Sequence, residues 1–323
     1  MSNILLTGAG GYLGTVLQSI NNQSRNTICP LDLGIFKSPT AYSFNLYDLK
    51  TASISSIFPA NYSIDTVVHL AGISNDPAGE IDPIFTYKNN VDASKRLIDF
   101  AVVAGVKKFI FASSASVYGE NDDLVTEESH LNPKTHYAKS KVLVEEYLLG
   151  AKELNPIIFR FGTLFGVSPK MRFDIAINLM VRDGLTTGKI NVYGGGEQYR
   201  PFLHVANAAS TILSIAELTP KSFSGQIFNI CSSNIMIKSL AEAIADLTQA
   251  KVIYHPFDHP DIRNYRMDCS KIHSVADDSL TSILDGVEAL KKWVNGNLHD
   301  LDNRDYYTID AWKEYMKHES TIL

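Results

Sequence analysis

The sequence predicts an α/β fold, a doubly wound parallel sheet with a smaller, interleaved C-terminal α/β domain, and three observations point to it. Through the first half, short runs that are apolar on both faces alternate with longer stretches of helical pattern. A glycine-rich turn stands between the first of these runs and the first helix. After Gly166 the alternation breaks down. Strands that are apolar on both faces need cover on both faces, and helices crossing between successive parallel strands supply it.

Taken in order, Asn3-Ile-Leu-Leu-Thr7 reads as the first strand and Tyr12 to Asn21 as the first helix. Thr27-Ile-Cys-Pro-Leu31 is the second strand, and Asp65-Thr-Val-Val-His-Leu70 is the next, followed by a helix over Pro83 to Ala104. Lys108-Phe-Ile-Phe-Ala112 as strand, a helix from His136 to Glu153 and Pro156-Ile-Ile-Phe-Arg160 as strand complete a Rossmann-type layout. Beyond it the pattern gives a helix near Phe173–Val181, a turn at Gly194-Gly-Gly196, a helix near Val205–Leu218, a strand near Gln226–Ile230 and a helix near Ile237–Leu247. The change of rhythm suggests a large unit over residues 1–166, with 205–231 returning to it. A substrate-side domain then comprises 167–204 and 232–323.

At 323 residues, 45% hydrophobic and 20% charged, the chain has globular composition and enough length to bury a core without staples. Lys+Arg at 29 against Asp+Glu at 35 leaves a formal charge of -6, so no broad basic footprint for nucleic acid is expected, though a local cationic pocket for phosphate is compatible with it. Cys29, Cys231 and Cys269 are far apart in sequence and odd in number, which predicts no disulfide framework, no CxxC metal or redox site, and a reducing, cytoplasmic setting. No apolar run approaches the roughly 18 residues of a membrane-spanning helix, and the first strand begins too early for a targeting leader. Neither membrane association nor a bound metal is expected.

Thr7-Gly8-Ala9-Gly10-Gly11-Tyr12-Leu13-Gly14 joins the first strand to the first helix. Glycines there let the backbone turn tightly and approach a pyrophosphate, while the helix N-terminus presents free N–H groups and positive dipole. Asp32 ends the second strand 18 positions after Gly14, close to the roughly 20 at which a carboxylate meets the adenosine ribose hydroxyls. A carboxylate would repel a 2′-phosphate, and Leu33-Gly34 adds no cation, so the pattern favours NAD over NADP; an ordinary turn aspartate is the plainer alternative.

Tyr137-Ala-Lys-Ser-Lys141 opens an amphipathic helix, and a spacing of four puts Tyr137 and Lys141 on one face, about 6 Å apart along the axis. A nearby ammonium favours the phenolate, and such a pair can exchange a proton with an alcohol. Ser113-Ser114-Ala115-Ser116 follows the strand ending at Ala112, so hydroxyls stand at a strand's carboxyl end, where open α/β sheets bind ligands. On its own, Tyr-x-x-x-Lys is equally a solvated helix face.

Together, in this chain order, these residues resemble the extended short-chain dehydrogenases/reductases, and within them the NAD-dependent epimerase/dehydratase group acting on nucleotide sugars. The resemblance covers nearly the whole chain. It implies NAD contacts at Gly8, Gly11, Tyr12, Leu13, Gly14 and Asp32, at Leu70, Ala71 and Gly72 in His69-Leu-Ala-Gly72, and at Asn90. The adenine-side pattern is met as Asn45-Leu46. It also implies catalytic roles for Ser114, Tyr137 and Lys141, the last two also meeting the cofactor.

Toward a nucleotide-diphosphate sugar the resemblance points to Ser74, Asn75, Ser116, Thr163, Asn178, Arg200 and Arg263. Arg200 would hold the diphosphate, unless it serves a domain-interface carboxylate, and Arg266 competes with Arg263 for a second such contact. Thr163 stands where the family often has asparagine, and Pro201 and Asn207 replace common acids, which leaves the nucleotide base open. The family's dehydratases carry an Asp-Glu pair just after the catalytic hydroxyl, and here that pair is Ala115-Ser116. The resemblance therefore implies 4-epimerisation of a nucleotide sugar, with a 4-dehydrogenase or 4-keto-sugar reductase as the alternative and a non-catalytic NAD-binding protein behind it. It further implies a homodimer through the helices near Tyr87–Ala104 and after Tyr137, although Leu97, Ile98 and Ala101 could equally serve the monomer core.

Overall fold

The computed structural model describes residues 2–21, 26–35, 42–43, 63–218, 223–256, 264–273 and 280–319. Among them, seven strands form one parallel sheet: β1 (Asn3–Thr7), β2 (Thr27–Asp32), β3 (Tyr42–Ser43), β4 (Thr66–His69), β5 (Lys108–Ser114), β7 (Pro156–Phe161) and β11 (Gln226–Ile230), in the order β11-β7-β5-β4-β1-β2-β3. All six strand pairings are parallel. Side chains such as Ile4, Leu5 and Leu6 are buried on alternate faces, and β4 and β7 are buried throughout, as strands covered on both sides must be. From β1 the chain runs outward to β2 and β3, then returns to the other side as β4. This reversal opens a crevice at the strands' carboxyl ends.

The helices on this sheet are α1 (Tyr12–Asn21), α2 (Asp76–Gly79), α3 (Pro83–Tyr87), α4 (Ala93–Val103), α5 (His136–Gly150) and, returning late in the chain, α7 (Val205–Glu217). The helix expected over Pro83–Ala104 is present without a break from Pro83 to Val103, with α3 running into α4 through a π-helical turn at Lys88–Asp92. That turn holds Asn90, whose amide bonds both the N–H and the carbonyl of Ile73, at 2.8 and 3.0 Å. Helix α5 starts where the Thr135 hydroxyl accepts from the Ala138 N–H at 3.0 Å. It stops at Gly150, short of the expected Glu153, with a separate short turn at Lys152–Leu154.

The other lobe contains more regular structure than the sequence suggested. Short strands β8 (Thr163–Phe165), β10 (Tyr199–His204) and β12 (Ser233–Met236) form one sheet, and β9 (Lys189–Tyr193) pairs with β13 (Lys251–His255). The two-residue strands β6 (Leu124–Val125) and β14 (Arg266–Met267) pair separately. Helices α6 (Ala176–Thr187), α8 (Ile237–Thr248) and α10 (Ile283–Gly296) close a second core around Phe165, Phe173, Phe202 and Val287. The helix expected from Phe173 begins only at Ala176, because the residues before it alternate: Lys170, Arg172 and Asp174 face the crevice while Met171 and Phe173 are buried in this core. A last helix, α11 (Thr308–Glu319), follows the four-residue α9 (Ser270–His273) and α10 in chain order and packs back beside β2 and α2. Cys231 and Cys269, distant in sequence, meet as buried thiols with their sulfurs 2.7 Å apart. Among the described residues no helix is long and apolar enough to cross a membrane.

Candidate active site

The crevice between β1 and β4 deepens into a cavity of about 660 Å³ that runs from Asp32 past Tyr137 to Arg200. Its floor is the glycine turn. Gly8 adopts a φ of +73°, and a Cβ there would lie 2.7 Å from the Ala71 nitrogen, so glycine alone lets β1 meet the turn after β4. At Gly14 a Cβ would lie 2.2 Å from the Gly8 carbonyl, so this glycine sets how closely α1 starts against the turn. Asp32 accepts from the Gly10 and Gly34 N–H groups, both at 2.9 Å, which fixes its carboxylate at the crevice rim. Burial raises its pKa, against those N–H bonds and the Lys170 charge. Leu13, Leu70, Ala71 and Gly72 line the same end of the cavity.

Strand β5 and helix α5 bring Ser114, Tyr137 and Lys141 together deeper in. The Ser114 hydroxyl accepts from the Ser116 N–H at 3.2 Å, starting a short turn over Ala115–Tyr118, and it lines the cavity together with Tyr137. Lys141 donates to the Ala112 carbonyl at 2.7 Å, with its ammonium 5.7 Å from the Tyr137 ring centre. The expectation that Lys141 draws the phenol's pKa down needs correction. Burial pushes Tyr137 well up, and the opposing influences are the Ser114 hydroxyl and the Arg172 guanidinium. Lys141 itself falls to about 8, because burial penalises its ammonium more than Glu145 supports it.

The opposite wall comes from the second lobe, and sequence reasoning missed most of it. Arg172 forms a bidentate pair with Asp174, at 2.9 and 3.0 Å, and donates to the Ser74 hydroxyl at 3.1 Å. Lys170 donates to Thr308 at 3.2 Å, and burial lowers it to about 7, with Arg172 adding to the shift. The signal that could have found this wall is the polar-apolar alternation of Ser168-Pro-Lys-Met-Arg-Phe-Asp174, which fits an extended segment with one face in the core. Asp76 belongs to Ser74-Asn75-Asp76-Pro77, the segment after the Gly72 turn that the sequence turns toward the sugar without assigning its contacts; it lines the cavity, accepting from Ser116 at 3.1 Å and from Thr135 at 2.5 Å. Gly79 lets its helix approach Tyr137, since a Cβ there would lie 2.8 Å from the Tyr137 Cβ.

Of the expected substrate contacts, Ser74, Asn75, Ser116, Thr163 and Arg200 line the cavity. Asn75 also caps α2 and donates to Asp174 at 3.1 Å. Arg200 is buried, donates to the Tyr199 carbonyl at 2.9 Å and lies over the Tyr265 ring at 5.3 Å.

Asn178 does not fit the expected role. It is fully buried, and its amide bonds the Gly166 N–H, the Arg172 carbonyl and the Tyr12 hydroxyl, at 3.1, 2.9 and 3.2 Å. Asn90 likewise sits behind the cavity, bonded to Ile73 and Ser140, so its amide shapes the turn after Gly72. The Tyr12 side chain donates to the Gly166 carbonyl at 2.6 Å and so ties the lobes together. Asn45, Leu46 and Arg263 lie outside the described residues.

The sequence model of the NAD dependent epimerase/dehydratase family matches residues 4–231. A Bacillus subtilis (strain 168) protein described as an uncharacterized UDP-glucose epimerase, YtcB, is 26% identical over 309 residues, covering 88% of this chain and 95% of that protein. A UDP-glucose 4-epimerase from Yersinia enterocolitica is 28% identical over 247 residues, 66% of this chain and 73% of its own. The solved structure of MoeE5 in complex with UDP-glucose and NAD matches at 26% identity with a TM-score of 0.80, covering 92% of this chain and 99% of that one.

Proposed function

This chain belongs to the NAD dependent epimerase/dehydratase family, and within it we propose an NAD-dependent nucleotide-sugar epimerase acting at C4 of the sugar. The observation that carries the reading is the junction of Ser114, Tyr137 and Lys141 in one cavity with the glycine turn, while Ala115 and Ser116 carry no acid. The residues present fit NAD. Gly8 and Gly14 hold a turn that larger residues would block, free N–H groups open α1, and Asp32 stands fixed where ribose hydroxyls would meet it. When bound, oxidised NAD supplies a hydride acceptor that returns the hydride, and a positive charge beside the phenol.

Tyr137, as phenolate, takes the proton from the C4 hydroxyl, with Ser114 holding the same oxygen. Lys141 supplies positive charge on the cofactor side. Reversal with the sugar turned over in the cavity returns that proton to the other epimer. Arg200 answers the diphosphate with its planar fork, stacked on Tyr265. Leu97, Ile98 and Ala101 are buried in the monomer, so a homodimer through α4 and α5 would use Val103, Leu143 and Tyr147.

One observation favours a second reading. Asp76 reaches Ser116 from another segment and so brings a carboxylate to the place where a dehydratase carries its acids. Incubation with a panel of nucleotide sugars, product configuration read by NMR and NADH followed in parallel, separates the cases. An inverted C4 supports the epimerase, a new C6 methyl group selects the dehydratase, and NADH accumulating with product selects the dehydrogenase.

A further inference from the structure

The mechanism leaves two side chains at the Asp32 end of the cavity without a task. Trp312, on α11, lines the cavity and is 5% exposed. It packs against Ile73 and Ala78, in the cluster that Leu33 and Ile35, just past Asp32, also join. Lys170 lines the same cavity, bonds Thr308 at the start of α11, and lies within electrostatic reach of Asp32. Its backbone belongs to the segment latched onto the glycine turn's helix, where the Ser168 hydroxyl donates to the Tyr12 carbonyl at 2.8 Å and meets the Thr15 hydroxyl at 3.0 Å. An apolar ring and a buried ammonium thus flank the carboxylate that would meet the ribose, and both come from parts of the chain outside the nucleotide-binding sheet.

We propose that Lys170 and Trp312 complete the NAD site, Lys170 as a cation for the anionic dinucleotide and Trp312 as an apolar wall at its adenosine end, so that the cofactor stays bound from one turnover to the next. The proposal rests on reading the cleft as an NAD site. It bears on the reaction, because an epimerase that lost its cofactor in mid-cycle would release a keto sugar, whereas a dehydrogenase must exchange it. A buried ammonium lowered to about 7 is also a group that an arriving anion would stabilise.

The chain has two tryptophans, so full-length protein carrying Trp293→Phe reports Trp312 alone. Its emission is expected to change saturably as NAD is added; constant emission while calorimetry registers binding overturns the Trp312 assignment. Lys170→Met is expected to raise the Kd for NAD about ten- to a hundredfold, the loss of a charge-assisted contact, with Lys170→Arg recovering most of it. A Lys170→Met protein that binds like wild type overturns that half. Gel filtration in NAD-free buffer, then assay of nucleotide released on denaturation, reads retention: wild type keeps its NAD and Trp312→Ala loses it. Equal retention sinks the proposal alone, whereas wild-type protein that binds no NAD sinks the cofactor reading with it.

Discussion

The two walls of the cleft present comparable polar groups but hold them by different means. On the sheet side, Asp32 and Ser114 stand at strand ends where backbone N–H groups fix them, Asp32 by Gly10 and Gly34 and Ser114 by Ser116, and Lys141, on α5, is held by the Ala112 carbonyl. Beneath lies a buried network in which Arg160 pairs with Glu145 at 2.7 Å and donates to the Tyr118 hydroxyl at 2.9 Å, while Glu145 also accepts from Ser113. That network ties β7 to β5 and α5, the elements that carry Ser114, Tyr137 and Lys141. On the other side, Lys170, Arg172 and Asp174 sit on an extended segment. What holds it is distant: two apolar anchors in the second core, Asn178 behind it, and bonds to Tyr12, Ser74 and Asn75. The comparison teaches that, on the proposed reading, the chemistry would rest on the wall fixed by the sheet, whereas grip on the ligands would depend on a wall that exists only when both lobes are packed.

The sharpest test of that division is Tyr137→Phe. It is expected to lower turnover on a confirmed substrate on the order of a thousandfold or more while NAD binding, measured by calorimetry, stays near wild type; comparable turnover would move the chemistry off the sheet side. Next comes Glu145→Ala, which strands the Arg160 guanidinium in the interior and is expected to cost about 3–5 kcal/mol in denaturant unfolding. A loss under about 1 kcal/mol would show that the network is not what stiffens this wall. Asn178→Ala acts on the other wall. Its expected cost is smaller, about 1–3 kcal/mol, and it should weaken NAD and substrate binding more than it slows the chemical step, as kcat and KM would report.

The smallest effect is that of pH. Burial lowers Lys170, which faces Asp32, Arg172, Asp174 and Asp305, to about 7, and Lys141, which faces Glu145, to about 8. An anionic cofactor favours both ammonium forms, so binding takes up protons above those values. NAD affinity should therefore fall a few-fold between pH 6.5 and 9. Lys170→Met should lose the part of that slope near 7, and an affinity that rises with pH would contradict the sign.

Legibility followed the same line. The strands β1, β4, β5 and β7 and the helices α1 and α5 could be read because apolar runs, glycine spacing and the four-residue step from Tyr137 to Lys141 are local properties of the chain. Asn90 was read as a cofactor contact, and the π-helical turn that directs it behind the cavity has no comparable local signature. The second lobe's strands are short, so even the strict alternation of Lys189–Tyr193 is too brief to stand out against background. Lys170 had only the alternation of Ser168–Asp174 to announce it, and Trp312, on a helix far along the chain, belongs to no contiguous motif.

The sequence by itself determined the apolar strands of the sheet, the glycine turn, Asp32 at its strand end and the Tyr137–Lys141 pair, because each is marked by a pattern along a short stretch of chain, and the family resemblance added Ser114. Tertiary structure alone decided that Asn178 supports the wall from behind rather than facing the cleft, that burial pushes the Tyr137 phenol up, and that Asp76 reaches Ser116. Desolvation and contacts between separate segments are sums over the packed molecule, and no short stretch of chain contains them.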